Sequence, residues 1–199
     1  MSKTIRIHLP PLICFLATTS IFASEIREFD LKTIERLGNE LTRVSQTSDR
    51  GATNSVRKRA VQTAKAAVQG KLFNIRYDYV VLDDPDGRGF LVYALGRGPK
   101  PGDTVVFGHF RVTVSADGQK AEQVDALSAS LVIDSKNVDP SPKGYHKVGF
   151  AGATPVGTRP SETLIYASNM MKMMIAIATP PHGQVWFIEN GRIRKDSKK

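Results

Sequence analysis

Residues 71–95 read KLFNIRYDYVVLDDPDGRGFLVYAL, and within them the apolar period of the chain changes from helical to two. Phe73, Ile75, Tyr77, Tyr79 and Val81 fall on one face of an extended segment, with Asn74, Arg76 and Asp78 on the other. That alternation describes a strand packed on one side. DDPDGRG then reads as a turn in which Asp86 and Gly87 supply the left-handed residue, and FLVYAL as the returning strand. Asp83, Asp84 and Asp86 lack the alternating acids, sixth-position glycine and twelfth-position glutamate of a calcium loop, so no metal site is expected.

Upstream the period is helical. Leu31, Ile34, Leu37, Leu41 and Val44 recur at three- and four-residue steps and form one apolar stripe. A second helix is predicted over 54–69: Asn54 or Ser55 caps it, Val61, Ala64 and Val68 are its buried face, and Gly70 ends it. Helices followed by successive hairpins give an α+β class, with the two N-terminal helices packed on one face of an antiparallel sheet.

Downstream, GRGPKPG (96–102) contains two prolines and leads into a strand rather than a helix, so it reads as a connection and not a phosphate-binding loop. In VVFGHFRVTV, Val106, Gly108, Phe110, Val112 and Val114 share one face, while Phe107, His109, Arg111 and Thr113 share the other. A three-residue loop at SADGQ pairs Ser115 with Gln119, which sets His109 opposite Asp125 and Arg111 opposite Gln123. The pair reads first as a structural or surface cross-strand contact; as a site, His109 and Asp125 are the candidate catalytic residues, with Tyr77 or Asp78 as a third group. Nucleophilic hydrolysis also needs an oxyanion-binding element, and one sequence does not locate it.

Residues 135–160 hold four prolines and little periodicity, and read as a long surface loop carrying Tyr145, His146 and Phe150 as contact residues. Residues 161–199 read as C-terminal β-hairpins of the same domain as 24–134. Asn190 and Gly191 mark the strongest hairpin, while 161–179 reads as either a capped helix or two short strands around Asn169 to Met171, the β-branched and aromatic content of 163–167 and 175–179 favouring strands. Met170, Met171, Met173 and Met174 suit either a copper site or an irregular core, and the core reading is preferred.

The N-terminus joins a basic start (Lys3, Arg6) to an apolar run too short for a membrane span, and Ala23 is a small residue before the first acid. This is the layout of a signal peptide over residues 1–23, with periplasmic or secreted destination and no transmembrane segment after cleavage. Cys14, the single cysteine, leaves with it, so stability must come from a core and not from disulfides. The leader removes two bases and no acids, lowering the formal charge from +9 to +7. The basic density at 49–71 makes Arg57, Lys58 and Arg59 a candidate anion-binding set, and the absence of interleaved aromatics argues against nucleic acid. There is no HExxH pair, GxSxG elbow, Walker loop or CxxC, and no cofactor is expected.

FRVTVSADGQKAEQV (110–124) resembles the strand-turn-strand signature of PepSY-type exported modules, which implies a link to protease inhibition or regulation. Residues 70–87 and 186–193 resemble small uncharacterised exported proteins of Gram-negative bacteria, a likeness that transfers no activity. The leading expectation is an exported binding protein, such as an inhibitor or immunity-type partner of an envelope-active enzyme. The alternatives are a hydrolase or lyase built on His109 and Asp125, and a binder of anionic envelope components.

Overall fold

The computed structural model describes residues 26–135 and 149–196. The chain is α+β, with three helices and predominantly antiparallel sheets. Helix α1 (Leu31–Ser45) starts at Asp30, whose carboxylate accepts from the Thr33 N–H at 2.8 Å. Helix α2 (Ser55–Val68) starts at Asn54, whose side chain accepts from Arg57 N–H at 2.9 Å. Each cap satisfies an amide that the first helical turn leaves without an intrahelical partner.

Strands β1 (Arg76–Asp83), β2 (Gly89–Arg97), β4 (Phe110–Ser115) and β5 (Ala121–Ala126) form an antiparallel sheet in that order. Both of its faces are covered, whereas alternation in β1 suggested a strand packed on one side. Val81, Val92, Ala94, Val112 and Val114 pack with Ala60, Ala64 and Val68 of α2. The opposite face, through Val80, Leu82, Leu91, Tyr93 and Leu95, joins the core made by α1. The two N-terminal helices thus take opposite faces and not one, because β1 and β2 each carry apolar side chains on both sides.

A second sheet, ordered β10-β9-β8-β7, closes over the larger core with Ile175, Ile177 and Ile188. It comprises β7 (Gly149–Ala153), β8 (Met174–Thr179), β9 (Gln184–Glu189) and β10 (Arg192–Lys195). β3 (Thr104–Phe107) and β6 (Val132–Asp134) form a separate pair. The β9-β10 turn is the two-residue Asn-Gly loop expected, with Asn190 at φ 51 and Gly191 at φ 73.

Two expectations are corrected. Residues 163–167 lie in helix α3 (Glu162–Met171), not in a strand. Thr163, Leu164, Ile165, Ala167, Ser168 and Met171 are all buried, so packing on nearly every side overrides local β propensity. The segment 135–160 also holds a strand, β7, which lies parallel to β8 and is joined to it through α3. GFAGA has no readable alternation because four of its five residues are glycine or alanine.

α1 and α3 pack closely where Gly38 crosses Ile165. A Cβ at Gly38 would sit 2.5 Å from the Ile165 Cβ and 2.7 Å from the Glu162 carbonyl oxygen. Glycine inside a helix costs about 1 kcal/mol against alanine, and here it permits the crossing. None of the helices among the described residues is long and apolar enough to cross a membrane.

Candidate functional site

His109 and Asp125 do not form a pair. Arg111 stands opposite Asp125, and Thr113 opposite Gln123. The hairpin loop is one residue longer than expected, since Ser115 N–H bonds the Lys120 carbonyl and Asp117 accepts from Gln119 N–H and the Ser115 hydroxyl. A bulge next to Val114 adds the second residue. A slip of two keeps Phe110, Val112 and Val114 on one face and changes their partners. The single strand expected over 104–115 is, however, broken at Gly108 (φ 117) into β3 and β4 of separate sheets, so Val106 joins the larger core with Phe107 and not the face of Phe110.

The consequence is a buried ionic cluster centred on Arg111. Its Nε and Nη2 donate to Asp125 at 3.1 and 2.7 Å, its Nη1 donates to Glu162 at 2.6 Å, and its Nη2 also reaches the Arg27 carbonyl. Tyr93 donates to the same Glu162 oxygen at 2.9 Å. Burial alone would lower the Arg111 pKa, but Glu162, Tyr93 and Asp125 together hold it above its ordinary value. Burial, then the Glu162 charge, pushes the Tyr93 phenol well up. Arg27 clamps Asp84 at 2.6 and 2.7 Å and Asp86 at 2.6 Å, and the Arg27 and Arg111 guanidinium carbons lie 4.7 and 4.8 Å from the centre of the Phe29 ring. This cluster joins the N-terminal segment, both hairpins and α3, and each of its charges is compensated.

His109 belongs to a different set of contacts. It is 1% exposed, so it is not on an outer sheet face as a free side chain. Its Nδ1 accepts from Gly96 N–H at 3.0 Å, which places the proton on Nε2, where it donates to the Val105 carbonyl at 3.0 Å. Burial lowers its pKa to about 4, outweighing the bond to Val105, so the ring is neutral at pH 7. Tyr166 packs edge-on against it at 6.0 Å.

The remaining sequence candidates are dispersed. Arg57 donates to the Gly51 and Val81 carbonyls and pairs with Asp83, while Arg59 donates to the Asp117 carbonyl, leaving Lys58 exposed. Tyr77 donates to the Gly108 carbonyl at 3.0 Å. Phe150 packs against Phe107 at 6.1 Å, and Tyr145 and His146 lie outside the described residues. Met171 is in the core while Met170 is exposed, so the methionines divide between interior and surface.

The backbone groups that His109 holds line an open groove of about 270 Å³ whose walls include Arg50, Asp78, Arg97, Asp103, Tyr166 and Met170. A wider, shallower space shares Arg97 and Asp103 with it and adds Arg76 and Lys100. Asp78 stands between two guanidiniums, with Arg50 Nη2 at 3.3 Å and Arg97 Nε at 3.6 Å. Both separations exceed the roughly 2.7–2.9 Å of a charge-assisted hydrogen bond. The Arg50 Nε is buried without a hydrogen-bond partner. Arg50 itself is held at φ 47 by the TSDRG turn, in which Asp49 accepts from Gly51 N–H and Thr47, and the Arg50 carbonyl receives Val81 N–H. A non-glycine residue in that region is uncommon, and the surrounding turn must hold it there.

Sequence reasoning named Asp78, and Arg50 only as one of the bases in 49–71, but not Arg97, which lies 47 residues beyond Arg50 and reaches Asp78 only after β1 pairs with β2. An arginine between Asp49 and Gly51 in a turn was the one local signal. Comparison of the chain with known protein families, characterised proteins and solved structures finds no match.

Proposed function

We propose that this chain is an exported binding protein, of the inhibitor or immunity-partner kind, whose contact surface includes the groove around Arg50, Asp78 and Arg97. The observation that carries the reading is a division among its charged groups. The residues that acid-base catalysis would have used, His109 and Asp125, are each 1% exposed and bonded to different protein partners, whereas the groove presents guanidiniums to solvent without close hydrogen bonds. Buried polar groups with full complements of partners stabilise a fold, and exposed guanidiniums keep donors that a partner can take from water.

The signal-peptide layout of residues 1–23 and the positive charge support an extracytoplasmic setting with an acidic partner. The PepSY-like hairpin at 110–124, with its association with protease inhibition, points the same way. The test is affinity capture from cell-envelope extract with residues 24–199, at low and at high salt. Salt screens exposed charges strongly and packed interfaces much less. The expected result is one stoichiometric protein retained at high salt. Capture of anionic lipid or glycan at low salt alone would replace this reading with general binding of envelope polyanions.

A further inference from the structure

We propose that the groove takes a single carboxylate, presented by an acidic side chain of a protein partner, beside Asp78 on the donors of Arg50 and Arg97 that Asp78 leaves unused. The inference rests on the binding reading above and specifies its ligand chemistry.

Three features of the groove fit an anionic ligand. The first is the contrast among arginines. Arg111 uses Nε and both terminal nitrogens, Arg27 uses both of its terminal nitrogens on carboxylates, and Arg57 holds two carbonyls and an acid. Arg50 and Arg97 each have only the loose contact with Asp78, although a guanidinium carries five donors in a fork that fits a carboxylate. The second is the ladder itself. Arg76 and Arg97 are direct cross-strand partners, so like charges face each other on one side of the sheet, an arrangement that destabilises a bare sheet. The third is Arg50, placed by a left-handed backbone with its Nε buried and unpartnered.

Charge and shape narrow the class. Asp78 and Asp103 share the walls with Arg50 and Arg97, and Asp103 is already engaged by Lys100 N–H and the Ser135 hydroxyl. The positive excess appears only when Arg76 and Lys100 of the adjoining space are counted. A small excess beside two carboxylates suits a monoanion and penalises a phosphate dianion. About 270 Å³ accommodates one acidic side chain with its flanking backbone. At the rim stands Met170, the single exposed large hydrophobic side chain among the described residues, which provides an apolar contact for a neighbouring partner residue.

The experiment follows the arginine Nε–Hε resonances of the mature chain during titration with acetyl-Leu-Asp-Leu-amide, its Asn counterpart and inorganic phosphate. The acidic peptide should shift the Arg50 and Arg97 signals saturably, with the Asn peptide weaker by roughly tenfold or more, since one charge-assisted bidentate pair is lost. Arg97→Gln should weaken the acidic peptide by a similar factor at an unchanged urea midpoint, and Lys120→Gln should leave it unaltered. Equal binding of the two peptides, tighter binding of phosphate, no saturable shift, or indifference to Arg97→Gln would each overturn the proposal. Partner capture that survives Arg97→Gln, in the absence of a peptide shift, removes the groove proposal and leaves the binding reading standing. A wild-type chain that saturates with the peptide but captures nothing fails the wider reading alone.

Discussion

Acidification should destabilise this protein well above the range in which its carboxylates titrate, and His109 is the reason. The folded chain resists protonating a ring whose Nδ1 accepts from Gly96 N–H and whose surroundings are dry, so its pKa falls from 6.5 to about 4. The unfolded chain takes up that proton near the ordinary value. Below pH 6.5 the unfolded state therefore binds more protons than the folded one, and stability falls with pH until the folded pKa is reached. The slope is about 1.4 kcal/mol per pH unit, which accumulates to about 3 kcal/mol across the window. Asp30, Asp49, Asp84 and Asp117 have lowered pKa values, so their contributions are lost only as pH falls through and below about 4. The interval from 6.5 to 5 thus isolates histidine, and His182, the other described histidine, is exposed. Urea unfolding at half-unit steps through that interval should show the loss in wild type and a nearly flat profile in His109→Gln, whose amide can still accept from Gly96 and donate to Val105. A wild-type profile flat from 6.5 to 5, or the same slope in both proteins, would refute the assignment of a buried neutral ring.

Further outcomes follow from the packing. Arg111→Met leaves Asp125 and Glu162 buried without their cation and should cost roughly 3–5 kcal/mol in urea unfolding, whereas Arg111→Met combined with Asp125→Leu and Glu162→Leu should recover much of it. Gly38→Ala should destabilise by about 1–3 kcal/mol despite alanine's better helix propensity, and adding Ile165→Ala should not relieve it, because the Ile165 Cβ at 2.5 Å and the Glu162 carbonyl at 2.7 Å both remain, as a double-mutant cycle would read. Gly191→Ala should lower the thermal midpoint, because φ 73 strains an L residue and the new Cβ would lie 2.2 Å from the Asn39 side-chain oxygen.

What the sequence disclosed about the fold was the information carried by local period and turn chemistry. The α1 stripe, the Asn54 cap, the β1-β2 hairpin and the Asn-Gly turn each depend on residues within a few positions of one another. The failures are where distant chain decides. α3 carries β-branched residues yet is helical because α1, β3, β8 and β9 surround it. β7 is a strand of small residues recruited beside β8, a pairing that its own pattern does not encode.

The functional site was obscured by the same mechanism at a single hairpin. Reading the loop as three residues and omitting the bulge displaced the partner of Asp125 by two, from Arg111 to His109, and reading through Gly108 placed His109 in a strand that starts only at Phe110. That error put His109 in place of Arg111 as the partner of Asp125 and hid the buried ion pair. An arginine flanked by apolar residues in FRVTV was the warning, because burying a lone guanidinium is costly and an acid on the facing strand should answer it. Arg97 obeys the converse rule. It lies at the end of β2 opposite another arginine, so its neighbours within the fold do not compensate it fully. Folding supplies Arg111 with partners for Nε and both terminal nitrogens, whereas Arg97 has only the 3.6 Å contact with Asp78.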